Sequence, residues 1–300
     1  MLVSTTFSDK KAGAKRHALS VFFVCLHKQN PYSMENKPFA ECIHRIEIDS
    51  LWSGRHHVVW DLDRHVNILS GINGVGKSTI LNKLIAAAKD CDPESSKGVH
   101  ISLSPDDAER LRYDVIRSFD RPLISADLMG KVDVRIITEL DLQLFNLQRK
   151  YLDYQVNIGN RIIAALSSGN TSAAQSISEP KTRFQDIIDE LFADTGKRII
   201  RTENEIRFSQ IGETLMPFQL SSGEKQMLAI LLTVLVEDRQ PTTLFMDEPE
   251  VSLHVDWQQK LIDTILELNP AVQIILTTHS PAVIMNGWMD HVTEVSDILK

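Results

Sequence analysis

Apolar residues recur along this chain with two periods, one of two residues and one of about 3.6 residues, which predict strands and helices respectively. The strands predicted in the first half are 43–48, 58–62, 65–69, 99–103 and 115–124, with a brief helix at 106–113. After Pro217, buried strands predicted at 244–246 and 272–277 alternate with helices predicted at 227–236 and 256–268. This alternation is typical of the α/β class, in which helices cover a parallel sheet.

The section from about 132 to 195 is different, because helical periodicity replaces the strand pattern there. Its first apolar stripe consists of Leu142, Phe145, Leu147, Leu152 and Val156. Its second stripe consists of Phe184, Ile187, Ile188, Leu191 and Phe192. We interpret this section as a helical insertion whose stripes pack inside the domain. A hairpin with strands at 199–202 and 206–208 is predicted to follow it.

A glycine-rich loop follows the strand at 65–69. It reads Gly71-Ile72-Asn73-Gly74-Val75-Gly76-Lys77-Ser78-Thr79 and fits the pattern G-x-x-x-x-G-K-[ST]. Closely spaced glycines let backbone N–H groups turn toward phosphates, and the helix predicted at 78–90 adds the partial positive charge of its N-terminus. We expect Lys77 to contact the β and γ phosphates of a nucleotide and Ser78 to bind Mg²⁺. The other expected phosphate-binding residues are Gly71, Asn73, Gly74, Val75, Gly76 and Thr79.

Polar residues also follow two of the buried strands. The first strand ends in Asp247 and Glu248, and the second ends in His279. Asp247 suits a role in holding Mg²⁺ through a water, and Glu248 suits a general base that orients the attacking water. His279 is placed to sense the γ-phosphate. Glu248, His279 and Lys77 are therefore the candidate catalytic residues.

A second candidate phosphate site lies at Leu220-Ser221-Ser222-Gly223-Glu224, where a buried helix begins. Free N–H groups and hydroxyls at such a helix start can bind a phosphate. Because the glycine loop already surrounds the phosphates within its own subunit, this second site suggests completion by another subunit. The alternative is an ordinary helix cap formed by Ser221 or Ser222 with Glu224.

Composition narrows the functional classes. The 300 residues are 43% hydrophobic, which suffices for one large or two modest domains. The net charge of −8 argues against a broadly basic surface, so nucleic acid is a possible partner that charge does not support. Cys25, Cys42 and Cys91 lack metal-binding spacing, and no apolar run reaches the roughly 18 residues of a membrane span. We expect reduced thiols, no membrane association and a cytoplasmic location.

Residues 1–40 differ in composition from the rest of the chain. Basic residues precede an apolar run at 19–26 in the manner of a signal peptide, but no A-x-A-like cleavage site follows. We interpret this part as a poorly ordered extension, or as sequence upstream of a true start at Met34 rather than Met1. Residues 41–300 then form the folded domain.

Together, the four motifs resemble those of an ABC-type ATPase, over about residues 43–295. In this resemblance 71–79 is the Walker A loop, 220–224 the signature, Asp247 with Glu248 the Walker B pair, and His279 the switch histidine. The run Glu-Pro-Glu-x-Ser-Leu-His at 248–254 is similar to soluble AAA-family ATPases of overcoming-lysogenization-defect, Septu and retron systems. The ATPase heads of SMC, Rad50 and RecF proteins are more distant relatives.

The resemblance implies an α/β P-loop NTPase fold, an ABC ATPase-like core with a mixed sheet and a helical insertion subdomain. It also implies ATP and Mg²⁺ as ligands and an ATP-dependent head-to-tail homodimer. In that dimer Ser221, Ser222, Gly223 and Glu224 cover the nucleotide of the partner subunit. Two family features have only candidates here: Asp120 or Asp127 for the glutamine of the Q-loop, and His57 or Trp60 for the aromatic residue that stacks on adenine.

We therefore expect an ATP-hydrolysing switch for antiphage defence or DNA maintenance. Only 21 residues (300 − 279) follow His279, so we expect a separately encoded effector. One alternative is the nucleotide-binding subunit of an ABC transporter, which the run at 248–254 and the missing Q-loop glutamine disfavour. Another is a module that closes on ATP but hydrolyses it slowly.

Overall fold

The computed structural model describes residues 38–52, 54–90, 98–117 and 138–300. Several predictions lie outside these ranges. They concern Met34 and nearly all of the N-terminal extension, Cys25, Cys91, residues 118–124 of one predicted strand, and the Q-loop candidates Asp120 and Asp127. The division into an extension at 1–40 and a domain at 41–300 stays a prediction.

Five parallel strands form the sheet that carries the candidate site. Their order across the sheet is β11 (Val292–Glu294), β3 (Val66–Ser70), β10 (Val272–Thr277), β9 (Thr242–Asp247) and β5 (Tyr113–Arg117). Nearly every residue of the three central strands is buried, as expected for a parallel sheet that is covered on both faces. In such sheets, ligands bind beyond the carboxyl ends of the strands.

A second sheet is antiparallel and has three strands. Its central strand is β1 (Cys42–Leu51), which pairs with β2 (His56–Asp61) and β4 (Val99–Ser104). The fully buried side chain of Gln273 joins the two sheets, since its amide donates to Ile43 O at 2.7 Å and its oxygen accepts from Ile43 N at 2.8 Å. The predicted α/β P-loop fold is confirmed, and the strands of these two sheets are parallel in one and antiparallel in the other.

Seven α-helices are assigned within the described ranges. They are α1 (Lys77–Asp90), α2 (Glu139–Ser167), α3 (Thr171–Leu191), α4 (Ser222–Val236), α5 (Val255–Leu268), α6 (Pro281–Met285) and α7 (Val295–Ile298). Almost all of α4 is buried, in agreement with its apolar sequence. None of the described helices is both long enough and apolar enough to span a bilayer.

The long helices α2 and α3 occupy most of the predicted helical insertion, and the sequence prediction located only one of their two buried faces. Phe184, Ile187, Ile188 and Phe192 of the second stripe are buried. The first stripe was wrong in part: its Leu147 is buried, but Phe145 and Val156 are 49% and 64% exposed. The buried residues of α2 are Leu140, Asp141, Leu144, Leu147, Tyr151, Tyr154 and Ile158. The helix carries apolar residues on two faces, and its periodicity alone does not say which face packs.

Two other local predictions need correction. No helix forms at 106–113, because this stretch pairs with the chain near Phe39: Ala40 N donates to Arg110 O at 2.7 Å, and Glu109 N donates to Pro38 O at 3.2 Å. The first strand of the predicted hairpin is shorter than expected, and a third strand follows the second. Its strands are β6 (Arg198–Ile199), β7 (Phe208–Gln210) and β8 (Glu213–Leu215).

A partly buried pair of carboxyl groups, Glu237 and Asp114, lies at the opposite ends of the strands from the glycine loop. Burial and, second, the neighbouring Asp114 together raise the pKa of Glu237 to about 7. Lys150 offsets part of this effect, with its Nζ 3.5 Å from Asp114 Oδ1 and 4.0 Å from Glu237 Oε1. Glu237 therefore binds a proton in the folded state at a pH where an unfolded chain releases it.

We expect the free energy of unfolding to fall as pH rises from about 5 to 7.5. A carboxyl group whose pKa is raised by folding stabilises the protein below its unfolded pKa, and this contribution disappears as pH rises through the folded pKa. The Glu237→Gln variant keeps a neutral side chain at every pH, so it loses most of this pH dependence. The missing change in the free energy of unfolding is roughly 2 to 3 kcal/mol. Urea unfolding at several pH values measures the slope, and the exposed Glu190→Gln serves as control. A wild-type slope in Glu237→Gln would contradict the assignment.

Candidate active site

The glycine loop connects β3 to α1 at the carboxyl end of the sheet. Gly74 and Gly76 have φ values of 81° and 101°, which are costly for residues with a side chain. A Cβ at Gly76 would also collide with the indole ring of Trp52. α1 begins at Lys77, so the loop delivers the N-terminus of a helix to the site, where backbone N–H groups favour anions.

The ammonium group of Lys77 lies inside this loop. The residue is 4% exposed, and its Nζ donates to Gly71 O at 2.9 Å and to Ile72 O at 3.2 Å. Burial lowers the pKa of Lys77, while the negative charges of Glu248, Asp247 and Glu250 oppose that change. The sequence-predicted phosphate ligand is thus a buried cation that faces three carboxylates.

The proposed magnesium ligands are in direct contact. Ser78 Oγ donates to Asp247 Oδ1 at 2.9 Å, and Thr277 Oγ1 donates to the same oxygen at 2.6 Å. A hydroxyl and a carboxylate are the hard oxygen donors that Mg²⁺ prefers, and Mg²⁺ usually keeps several waters. Ser78 and Asp247 therefore have the chemistry and the proximity that the expected metal requires.

Glu248 and His279 form an ion-pair geometry next to these residues. His279 Nε2 lies 2.9 Å from Glu248 Oε1, and its Nδ1 lies 3.4 Å from Lys77 Nζ. Glu248 has φ 47°, in the left-handed region that is unfavourable for a glutamate. Its N–H donates to Thr277 O at 3.0 Å, so the neighbouring strand holds the strained residue in place. Such strained positions often belong to functional sites.

The start of α4 forms a helix cap in the structure. Ser221 accepts from Glu224 N at 3.4 Å, and Glu224 Oε2 accepts from Ser221 N at 2.9 Å, which completes a capping box. Glu224 is only 2% exposed and also binds Lys197 Nζ and Thr195 Oγ1, each at 2.9 Å. The side chains of Ser221 and Glu224 therefore form the helix cap, as in the capping alternative. The side chain of Ser222 is exposed and takes no part in this cap.

The buried charge of Glu224 is compensated by Ser221 within the signature and by Lys197 and Thr195 outside it. Burial acts to raise the pKa of Glu224, but the bonds from Lys197, Ser221 and Thr195 outweigh it, and the pKa is lowered overall. Lys197 lies beside β6, in the segment that follows the long helices α2 and α3. Glu224 therefore has a cationic partner of its own.

The turn at 250–254 packs against the same helix start. A Cβ at Gly223 would collide with the carbonyl oxygen of Ser252, so this approach requires a glycine. Glu250, at the beginning of the turn, accepts hydrogen bonds from Thr278, His279 and Ser280. The signature, this turn and the His279 segment therefore form one continuous set of contacts.

The structure brings together the residues of the Walker A loop, the Walker B pair and His279. Residues 221–224 contact the turn at 250–254, but among the described residues no hydrogen bond or ion pair joins them directly to the loop at 71–79. The role of 221–224 toward a nucleotide stays a prediction.

The two aromatic candidates for adenine stacking, Trp60 and His57, differ in position from Trp52, which lies against the glycine loop. Trp60 is 2% exposed and donates from Nε1 to Thr293 Oγ1, so it belongs to the core. Trp52 follows β1, is 39% exposed and lies against Gly76. The sequence places Trp52 between the strands predicted at 43–48 and 58–62, two strands before the glycine loop. His57 pairs through its backbone with Lys300.

Comparisons with known proteins point to ATPases. Residues 171–286 match the family described as AAA domain, putative AbiEii toxin, Type IV TA system, a stretch of less than half of the chain. The chain is also similar to the probable ATPase of retron Vc95 of Vibrio cholerae serotype O1 biovar El Tor, with 25% identity over 163 residues. That alignment covers 49% of this chain and 32% of the relative, so it spans about a third of the relative's length.

Solved structures with similar coordinates include SMC heads. One is the SMC head bound to the C-terminal winged-helix domain of ScpA, with TM-score 0.47, 13% identity and coverage of 82% of this chain and 91% of that chain. Another is the SMC head domain from Thermotoga maritima, with TM-score 0.41, 14% identity and coverage of 82% and 92%. The fold assignment itself rests on the strand order and the glycine loop.

These findings agree with the resemblance to soluble AAA-family ATPases, including those of retron systems. The chain is a P-loop protein of the ATPase type related to a retron ATPase. The alternative of a transporter subunit is not favoured, since neither the matched family nor the curated relative is described as a transporter.

We expect Lys197→Met to destabilise the folded chain by about 3 kcal/mol or more, because it leaves the buried Glu224 carboxylate without its cationic partner. The double variant Lys197→Met with Glu224→Gln removes both charges and recovers most of the loss. Chemical unfolding of the three variants beside wild type measures the pair. If the double variant were as unstable as Lys197→Met, loss of packing by Lys197 would explain the effect instead of charge.

Proposed function

We propose that this protein is an ATP-hydrolysing switch that forms a head-to-tail homodimer around two ATP molecules and controls a separately encoded effector. The observation that carries this proposal is the contact of His279 with both Glu248 and Lys77, next to the Ser78 and Asp247 pair. A phosphate-binding cation, a candidate base and a candidate metal site meet at one edge of the sheet.

Each residue has a chemical role in this proposal. Lys77 and the N–H groups of the loop bind the β and γ phosphates, and Ser78 with Asp247 hold Mg²⁺. When bound, Mg²⁺ supplies positive charge that stabilises the charge developing on the phosphates. Glu248 orients a water and accepts its proton. His279 donates a hydrogen bond to the γ-phosphate and keeps Glu248 in place.

The dimer proposal is supported by the position of the signature. Ser222 is exposed at the start of α4, and the side chains of Ser221 and Glu224 fix the helix start rather than a ligand. Backbone N–H groups at such a helix start attract anions. We infer that they and Ser222 close on the nucleotide of a partner subunit, so that ATP joins the two subunits.

We propose the biological setting from the names of the similar proteins. The curated relative is named as a probable retron ATPase, and the matched family is described as containing a putative toxin of a toxin–antitoxin system. These names support a role in antiphage defence, with DNA maintenance as the second setting, and a cytoplasmic location. The genes adjacent to this one identify the effector: a nuclease or reverse transcriptase supports the defence role.

We expect Glu248→Gln to lower the ATP turnover of the full chain by about 100-fold or more, because the base that activates water is removed while ATP binding is kept. The ATP-bound dimer then accumulates. Phosphate release measures turnover, and light scattering with and without ATP and Mg²⁺ measures the dimer. Glu190→Gln, an exposed glutamate, serves as matched control.

Two outcomes would contradict the proposal. Wild-type turnover in Glu248→Gln would remove Glu248 from catalysis. A Glu248→Gln protein that binds ATP but stays monomeric would refute the composite site. A wild-type chain that forms the dimer with ATP but does not release phosphate would identify the slow-hydrolysing module instead.

We also propose that Trp52 stacks on the adenine ring. Its indole lies against the glycine loop at Gly76 and is partly exposed, whereas Trp60 is buried in the core. Stacking of an aromatic side chain on a base contributes about 1 to 3 kcal/mol.

We expect Trp52→Ala to weaken ATP binding by about tenfold or more and Trp52→Phe to retain most of the affinity, because phenylalanine keeps an aromatic face for stacking. Calorimetric titration of each variant with ATP and with inorganic triphosphate measures this. Triphosphate has no base, so its affinity is expected to be equal in wild type and both variants. An Ala variant with wild-type affinity for ATP would exclude Trp52.

A further inference from the structure

Glu250 has contacts that the reaction described above does not use. The residue lies two positions after Glu248 and is 7% exposed. Its Oε1 accepts three hydrogen bonds: from Thr278 Oγ1 at 2.5 Å, from His279 N at 3.0 Å and from Ser280 N at 3.3 Å. A single carboxylate oxygen therefore holds three consecutive residues, with His279 in the middle.

The second carboxylate oxygen of Glu250, Oε2, is buried and has no hydrogen-bond partner among the described residues. A buried acceptor without a partner carries a free-energy cost, and most buried polar atoms avoid it. Every hydrogen bond of the described residues to this carboxylate therefore comes from the segment at 278–280. The fold keeps Oε2 buried without a partner while Oε1 holds that segment.

The segment at 278–280 is also attached to the turn at 250–254 by a second route. Ser280 Oγ donates to Gln258 Oε1 at 2.6 Å, and Gln258 Nε2 donates to Leu253 O at 2.9 Å. Two independent bridges therefore join the turn to the residues around His279. The position of the turn determines the position of the segment.

His279 is sensitive to small displacements of this segment. Its ring lies between Glu248 Oε1 at 2.9 Å and Lys77 Nζ at 3.4 Å, so both contacts depend on where its backbone is held. A displacement of about 1 Å in a catalytic group can lower a rate by about a hundredfold. The side chain that fixes the backbone of His279 is therefore expected to affect turnover without touching the nucleotide.

We propose that Glu250 is a positioning residue that holds His279 in its contact with Glu248. This inference rests on the proposed ATPase function for its effect on turnover, and on the contacts at 278–280 for its structural part. Through the turn at 250–254, which packs on Gly223, it also connects the position of His279 to the start of the signature helix.

The test compares Glu250→Ala, which removes the acceptor, with Glu250→Gln, which keeps one amide oxygen for the same three donors. We expect Glu250→Ala to lower kcat by about 10- to 100-fold. The affinity for ATP is expected to change less than kcat, because Glu250 acts on Lys77 only through its charge, and its hydrogen bonds go to 278–280. Glu250→Gln recovers most of kcat. Glu190→Gln is the exposed control.

A second readout does not depend on hydrolysis. Amide exchange measured by NMR without nucleotide reports whether the N–H groups of His279 and Ser280 are hydrogen-bonded. We expect faster exchange at both positions in Glu250→Ala and wild-type protection in Glu250→Gln. If wild type hydrolyses no ATP, the proposed function fails, and the exchange result still decides whether Glu250 holds the segment.

Several outcomes overturn the proposal. They are wild-type kcat in Glu250→Ala, unchanged exchange at His279 and Ser280, or a Glu250→Gln variant as slow as Glu250→Ala with both amides still protected. A loss of ATP affinity equal to the loss of kcat would assign Glu250 to binding instead. If Glu250→Ala does not fold, Thr278→Val replaces it, because it removes one of the three donors and is expected to give a smaller decrease in kcat.

Discussion

One carboxylate oxygen connects the parts on which this site depends. Asp247 Oδ1 accepts from Ser78, at the start of α1, and from Thr277, at the end of β10. These contacts require β9 and β10 to be paired so that Asp247 lies directly beside Thr277. A shift of one residue in a strand turns every side chain to the opposite face, so the register of two buried strands determines whether the proposed metal ligands meet. The apolar residues along β9 and β10 are therefore as necessary to the chemistry as the polar residues at their ends.

Buried charges connect this catalytic edge to the helical part of the chain. Lys225, in the first turn of α4, lies 2.7 Å from Asp141 of α2, and Glu224 lies 2.9 Å from Lys197 beside β6. All four side chains are at most 12% exposed, and breaking such a pair leaves a buried charge without compensation. The start of the signature helix is thus held by residues that come from before it in the sequence. A displacement of α2 or of the strands β6, β7 and β8 is therefore transmitted directly to the helix start at 221–224.

The sequence predicted the parts in which local chemistry determines structure. The glycine loop, the carboxylates after β9 and the histidine after β10 are each recognisable within a few residues, and the parallel sheet brings their side chains together. Prediction failed where the outcome depends on distant partners. Residues 106–113 pair with a strand-like segment near Phe39, and α2 buries one of two apolar faces according to what packs beside it. The partners of Glu224 and the burial of Trp60 depend in the same way on residues far along the chain.

The backbone of Glu248 has a further consequence for how this protein can change. Its φ of 47° is a conformation that glycine or asparagine adopts at lower cost, so the glutamate makes the folded chain less stable than it could be. Natural proteins retain such costs where activity depends on them. Selection for thermal stability alone therefore favours replacement of Glu248, and under the proposed function the more stable variants lose activity. The strand end that delivers the candidate base is a point at which selection for stability and selection for activity oppose each other.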